Sequence, residues 1–183
     1  GLTLDYLHIL LPHVPYRFVP SGVQYTGPDP DIGRVGDDWV DQRWPPKLGR
    51  QRLQLQLGYV DALLGELFKS LRDQGRYDKS LIVVTADHGI GFRPGGPIRG
   101  IEGQELTDDD LAQIAWVPLF IKTPGQSTGE VSDANVETID IVPTIADVLD
   151  VELPWPVDGR SVFERGTRRG DIKTYAPSNV TPF

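Results

Sequence analysis

The sequence predicts an α/β domain of layered helices and strands. Three observations carry that expectation. A leucine repeat marks one long helix, short apolar runs mark strands, and turn residues separate them in a helix–strand–helix–strand order.

The first element is Leu4 to Leu11, rich in Leu and Ile and closed by Pro12, which reads as a buried strand. From Pro12 to Pro46 the chain is dense in Pro, Gly and Asp with scattered aromatics. A stretch of that kind reads as a long ordered loop, and such loops are uncommon unless functional. Lys47 to Gln74 is the clearest helix. Leu53, Leu57, Val60, Leu64, Leu67 and Leu71 recur at steps of three and four, so one face is apolar. Gly75 follows where a left-handed cap is favoured.

Leu81 to Thr85 reads as a short strand buried on both faces. A second loop runs from Gly89 to about Thr107, with Asp108 to Asp110 a helix start or turn. Val117 to Lys122 is the next strand. Thr138 or Asp140 caps a helix reaching Leu149, with Pro143 tolerated in its first turn. Beyond Val162 no periodicity remains, and neither an internal repeat nor a low-complexity segment is present.

Composition narrows the function. The 183 residues suit one domain, and 39% hydrophobic with 24% charged is a globular balance rather than a disordered one. A net charge of −8 argues against a general nucleic-acid binder. The acidity concentrates in residues 81–163, with fourteen acidic side chains against four basic, which suits a cation site or a solvated face. The absence of Cys excludes disulfides, thiolate nucleophiles and Cys-ligated metals within these residues. The longest apolar runs are four residues, far below the roughly 20 that span a bilayer. With no Met even at position 1, the expectation is an excised piece of a longer protein.

The chemistry concentrates at strand ends. Asp87-His88-Gly89 follows the Leu81–Thr85 strand directly, where α/β folds place ligand sites. A carboxylate beside an imidazole offers one oxygen and one nitrogen, a pair suited to Mn²⁺, Zn²⁺ or Fe. Neighbouring residues on a strand point to opposite faces, so shared ligation needs the irregular turn that Gly89 permits. The same three residues also read as a plain turn containing a histidine. His8 lies inside the apolar run and reads as a core histidine or a ligand. His13 leaves the strand on a proline-rich loop, a position for a proton donor or an anion contact. Arg93 reads as a bidentate holder of a substrate oxyanion or as a surface residue. Lys122 is a strand-end cation, Trp39 and Trp44 are pocket walls or loop staples, and Asp108 to Asp110 are a cation cluster or a helix N-terminus. No Ser or Thr sits at a recognisable nucleophile elbow.

Taken in order, these pieces resemble the sulfatase-like branch of the alkaline phosphatase superfamily. The matching runs are His8-Ile9-Leu10-Leu11-Pro12-His13-Val14-Pro15-Tyr16, Tyr59-Val60-Asp61, Leu81-Ile82-Val83-Val84-Thr85-Ala86-Asp87-His88-Gly89, and Val117-Pro118-Leu119-Phe120-Ile121-Lys122. Thr138 to Leu149 and Asp158-Gly159-Arg160-Ser161-Val162 complete the set. The likeness is greatest to actinobacterial membrane-anchored sulfatase-like proteins. It implies a three-layer α/β/α sandwich, incomplete, with residues 1–163 the C-terminal portion of a catalytic domain and 164–183 an irregular tail.

The resemblance further implies metal-dependent hydrolysis or transfer at a sulfate or phosphate ester. Asp87 and His88 would be ligands of a divalent ion (Mn, Zn, Mg or Ca), and His13 would meet the substrate anion or protonate the leaving group. The family's nucleophile and an acidic ligand would lie upstream of Gly1, and no Cys-x-Pro-x-Arg stretch is present. This chain alone is therefore expected to be inactive. The implied parent is an extracytoplasmic, membrane-anchored bacterial protein, with a cytoplasmic one as the alternative. Its partner is an ester substrate rather than nucleic acid, and uncovered strands would favour self-association. A silent sulfatase-like assembly module and a phosphomutase-type enzyme with the same Asp-His-Gly turn remain the other readings.

Overall fold

The computed structural model describes residues 3–27, 33–100, 105–164 and 170. Its helices and strands fall into two units. One holds the described residues of 1–73 and 87–117, the other those of 74–86 and 118–176.

In the first unit, helix α1 spans Trp44–Asp73. It begins three residues before the predicted start, because proline tolerates the first turn, where its missing N–H has no partner to lose. It ends just before Gly75, whose φ of +65° is the left-handed stop the sequence predicts. The buried positions are Pro45, Pro46, Gly49 and Gln56 rather than the leucine stripe, and Leu57 is exposed. Close approach explains the choice at Gly49, where a Cβ would lie 2.5 Å from the Trp39 ring. Small residues let that ring lie flush on the helix.

Gln56 is the polar exception, with 0% exposure in the helix interior. Its Oε1 accepts from the backbone N–H groups of Arg17 at 2.8 Å and Phe18 at 3.2 Å. Its Nε2 donates to the carbonyls of Pro12 and His13, both at 3.0 Å. One turn further on, Tyr59 stacks on Phe18 with ring centroids 5.1 Å apart. Residues 12–18 are thus docked on one face of α1. The preceding segment departs from expectation. Leu4 to Leu11 forms no strand, and Leu4 and Tyr6 are 81% and 84% exposed. Apolarity and extended propensity are local, whereas a buried strand needs a neighbour, and no described residue pairs with this run.

The proline-rich loop folds into small pieces. Strands β1 (Arg34–Val35) and β2 (Asp38–Trp39) make a two-residue hairpin over Gly36. The Trp39 N–H donates to the Gly96 carbonyl at 3.0 Å, and the Ile98 N–H to Asp37 at 2.8 Å. Trp39 is buried, its indole N–H donates to the Gly91 carbonyl at 2.9 Å, and its ring meets Phe92. It staples the two loops together. Trp44 is exposed, and its indole N–H donates to Gln42 Oε1 at 3.0 Å.

Helix α2 spans Asp108–Ala115 behind a reciprocal cap between Thr107 and Asp110. Asp110 is fully buried, and both its oxygens accept from Arg93 Nε at 3.0 and 2.9 Å. The Asp108–Asp110 run is therefore a helix start. Burial pushes the Asp110 carboxyl up, but hydrogen bonds from Arg93 and Thr107 and the Arg93 charge outweigh it and hold it below the ordinary range.

In the second unit, β3 (Ile82–Thr85) pairs antiparallel with β4 (Leu119–Lys122), from Ile82 opposite Lys122 to Thr85 opposite Leu119. The strand is half-buried with Thr85 exposed, not buried on both faces, since β4 is its one partner among the described residues. Lys122 Nζ donates to the carbonyls of Tyr77 and Ser80, so it closes the short helical turn Tyr77–Lys79. Helix α3 (Ile141–Leu149) follows the turn Thr138–Asp140. Buried Asp140 accepts from the N–H of Glu137 and of Arg160, both at 2.9 Å. Gly159 is required there, since a Cβ would sit 2.0 Å from the Ile139 carbonyl oxygen.

Two substitutions check this packing. Gln56→Leu strands two backbone N–H and two carbonyl groups and should cost about 3 kcal/mol in urea unfolding. A loss below about 0.5 kcal/mol would show that water replaces the amide freely. Asp110→Asn addresses pH. Because the folded carboxyl titrates below its unfolded value of about 3.9, its contribution is complete above roughly pH 5 and disappears as pH falls through the folded value. Asn at 110 should therefore lower stability at neutral pH by about 1–3 kcal/mol and flatten its fall below pH 5. An unchanged acid slope would contradict the assignment.

Candidate functional site

Chemistry-bearing side chains meet in the first unit, at the Asp87-His88-Gly89 turn and the His13 loop. Gly89 is held by its N–H, which donates to the Ile114 carbonyl at 2.7 Å. A Cβ here would lie 2.0 Å from the Gln113 carbonyl oxygen, so the glycine is needed for space. Its φ is not left-handed, so the expected reason for the glycine is replaced by a steric one.

Within the turn, the His88 N–H donates to Asp87 Oδ1 at 2.9 Å. His88 Nδ1 lies 2.7 Å from the Gly89 carbonyl, and a carbonyl only accepts, so the proton is on Nδ1. Nε2 points away from that bond and stands 3.8 Å from Asp87 Oδ2. One oxygen and one nitrogen donor thus face a common space, open enough to leave the Asp87 side chain 81% exposed. Burial pushes the Asp87 carboxyl up, but the His88 N–H and the charges of His88 and Arg99 more than offset it, and the net is downward. The carboxylate is ready-ionised at neutral pH.

His13 repeats the arrangement. Its Nδ1 lies 2.7 Å from the Val14 carbonyl and must donate to it. Its Nε2 stands against Arg99 Nη2, a group that can only donate. Gln56 fixes the loop by its bond to the His13 carbonyl. Arg99 is fixed through its neighbour Ile98, which is 1% exposed and bonded on both sides, to Asp37 and Gly91. The guanidinium therefore touches His13 while its charge acts on Asp87. Arg99 thus meets His13 directly, and Asp87 and His88 meet each other at the turn.

The other candidates lie elsewhere. Arg93 is engaged by Asp110 through Nε and Nη2, the latter at 2.9 Å. His8 is exposed in the unpaired segment, not a core histidine. Arg99 is absent from the sequence-derived set, and its one signal is position, on a Pro97-Ile98 anchor ten residues past the Asp-His-Gly turn. Among the described residues no group of three or more His, Asp or Glu side chains is gathered for a metal.

Known proteins bear on this geometry. The sulfatase family model matches residues 4–151. Lipoteichoic acid synthase 1 of Bacillus subtilis is 39% identical over 88 residues, 48% of this chain and 14% of that protein. The extracellular sulfatase SULF-1 homolog of Drosophila melanogaster is 32% identical over 162 residues, 87% of this chain and 14% of that protein. Among solved structures, the phosphonate monoester hydrolase of Silicibacter pomeroyi matches with a TM-score of 0.50 and 37% identity, over 61% of this chain and 21% of that one. The chain thus spans no more than about a fifth of these relatives. Its matched residues carry the His13 loop and the Asp87–Gly89 turn together, and the chain belongs to the sulfatase family, with the α/β fold of the alkaline phosphatase superfamily.

Proposed function

We propose that this chain supplies the metal-ligand turn and the proton-handling histidine of an enzyme that hydrolyses or transfers a phosphoric or sulfuric ester. The observation that carries the reading is the Asp87–His88 pair, with Oδ2 and Nε2 3.8 Å apart at the turn, inside a sulfatase match that also covers the His13 loop. Residues 1–163 are read as the C-terminal portion of the catalytic domain and 164–183 as its tail, with the nucleophile and a further acidic ligand outside this chain. The chain alone is then inactive, for want of an oxygen nucleophile held in line.

The donor set fits a divalent cation. Asp87 Oδ2 and His88 Nε2 stand 3.8 Å apart with no hydrogen bond between them. Two ligands at about 2.1 Å from one ion at a tetrahedral angle stand about 3.4 Å apart, so a small closure would suffice. The Nδ1–H bond to Gly89 orients the ring as ligand-supporting contacts do. Asp87 and His88 would hold Mn²⁺ or Zn²⁺, and such an ion polarises an ester oxygen and favours an anionic nucleophile.

The chain's own residues do the rest. An arriving tetrahedral anion competes for the Arg99 donors, which suit paired oxygens. Once Arg99 turns to that anion, His13 Nε2 is released to take a proton from water and give it to the leaving oxygen, as that oxygen's bond to phosphorus or sulfur breaks and the nucleophile's bond to the same atom forms. The Val14 carbonyl keeps the ring oriented throughout. An extracytoplasmic setting is part of the proposal, supported by the extracellular sulfatase among the relatives. No helix among the described residues is long and apolar enough to cross a membrane.

The test uses the intact protein with aryl sulfate, aryl phosphate and an aryl phosphodiester, with Mn²⁺ or Zn²⁺. His13→Ala should lower kcat about 10²–10⁴-fold with metal content unchanged. Asp87→Asn should lower metal content itself. Turnover indifferent to both substitutions would defeat the reading.

A further inference from the structure

The protein carries a net charge of −8, yet a half-open cavity of about 350 Å³ in its first unit has cationic walls. Lys47 and Arg50 reach it from the start of α1, Arg43 from the residue before that helix, and Arg93 from the loop after Gly91. Asp109 is the one carboxylate among its lining residues. Arg93 is committed to Asp110, but Arg43, Lys47 and Arg50 are exposed, and no ion pair among the described residues engages them. The walls stay net positive after Asp109 is counted. Lys47 and Arg50 stand three residues apart on one helix, a spacing at which like charges repel. An anion placed among them turns that repulsion into attraction.

The chemistry narrows the ligand. Guanidinium groups match the paired oxygens of phosphate or sulfate, and Lys47 adds a point charge. The volume is roughly ten times a water molecule's share of the liquid, about 30 Å³, so a bare tetrahedral ion leaves most of it empty. Phe92 adds an apolar wall, against which a carbon skeleton can lie. None of His13, Asp87, His88 and Arg99 lines the cavity.

We propose that this cavity binds a phosphate or sulfate group carried on a carbon skeleton, separate from the ester handled at His13. Resting on the ester-chemistry reading, that group belongs to a substrate or acceptor with at least two anionic groups, one in each place. The anion site itself stands on the cavity's charge.

The experiment titrates the intact protein calorimetrically with glycerol 1-phosphate and with glucose 6-sulfate, at low and moderate salt. Saturable binding that weakens with salt is expected. Lys47→Gln and Arg50→Gln should each weaken it about threefold to tenfold, with thermal melting unchanged because both side chains are exposed. His13→Ala should leave it as it was. Three results overturn the proposal: no saturable binding to the unsubstituted protein, binding unchanged in the triple Gln variant at 43, 47 and 50, or binding abolished by His13→Ala. The last would place the anion at His13 and Arg99. Failure of the ester reading is seen separately, as turnover indifferent to His13→Ala, and leaves these titrations untouched.

Discussion

The Gln56 amide is the contact on which the site depends. A fully buried amide in a helix costs desolvation unless its donors and acceptor are all used. Here they are, by four backbone groups from 38 to 44 residues away. The consequence is more than stability. Backbone groups are fixed relative to their own side chains, so binding the His13 carbonyl fixes where the His13 ring begins. A long helix, with its internal hydrogen bonds, is the stiffest ruler available for placing a loop. The loop inherits its precision from the helix.

That dependence explains which features are legible in the sequence. The long helix, the α3 helix and the Asp-His-Gly turn are written in local spacing, and they appear within a few residues of expectation. The cap at Thr107 is equally local. Gln56 and Arg99 are different. Each matters through a partner more than forty residues away, and nothing in its immediate neighbours announces the partner. Periodicity also identifies a helix better than it identifies the buried face. The leucine stripe lies half-buried or exposed while Pro45, Gly49 and Gln56 are covered, because burial follows what packs alongside. Leu4 to Leu11 carries the same lesson: strand-like residues stay exposed when no described neighbour pairs with them.

The two histidines of the site share one device. In each, Nδ1 donates to the carbonyl of the next residue, which fixes the tautomer and leaves Nε2 outward. A backbone carbonyl has no titration of its own near neutral pH, so the tautomer does not change with the surroundings. What differs is the object before Nε2. His88 faces a carboxylate, which suits ligation, whereas His13 faces a guanidinium, which suits exchange with an arriving anion. The same ring thus meets opposite charges in the two places, and the different roles proposed for His88 and His13 rest on that difference.

The two arginines of the loop divide along the same line. Arg93 meets a carboxylate with no exposure, and breaking that pair would strand a buried charge. Arg99 meets an imidazole at an exposed position, where water or a tetrahedral anion can replace the contact at little cost. Six residues apart, Arg93 secures the loop to α2 through a buried partner, while Arg99 keeps an exposed contact that solvent can reach.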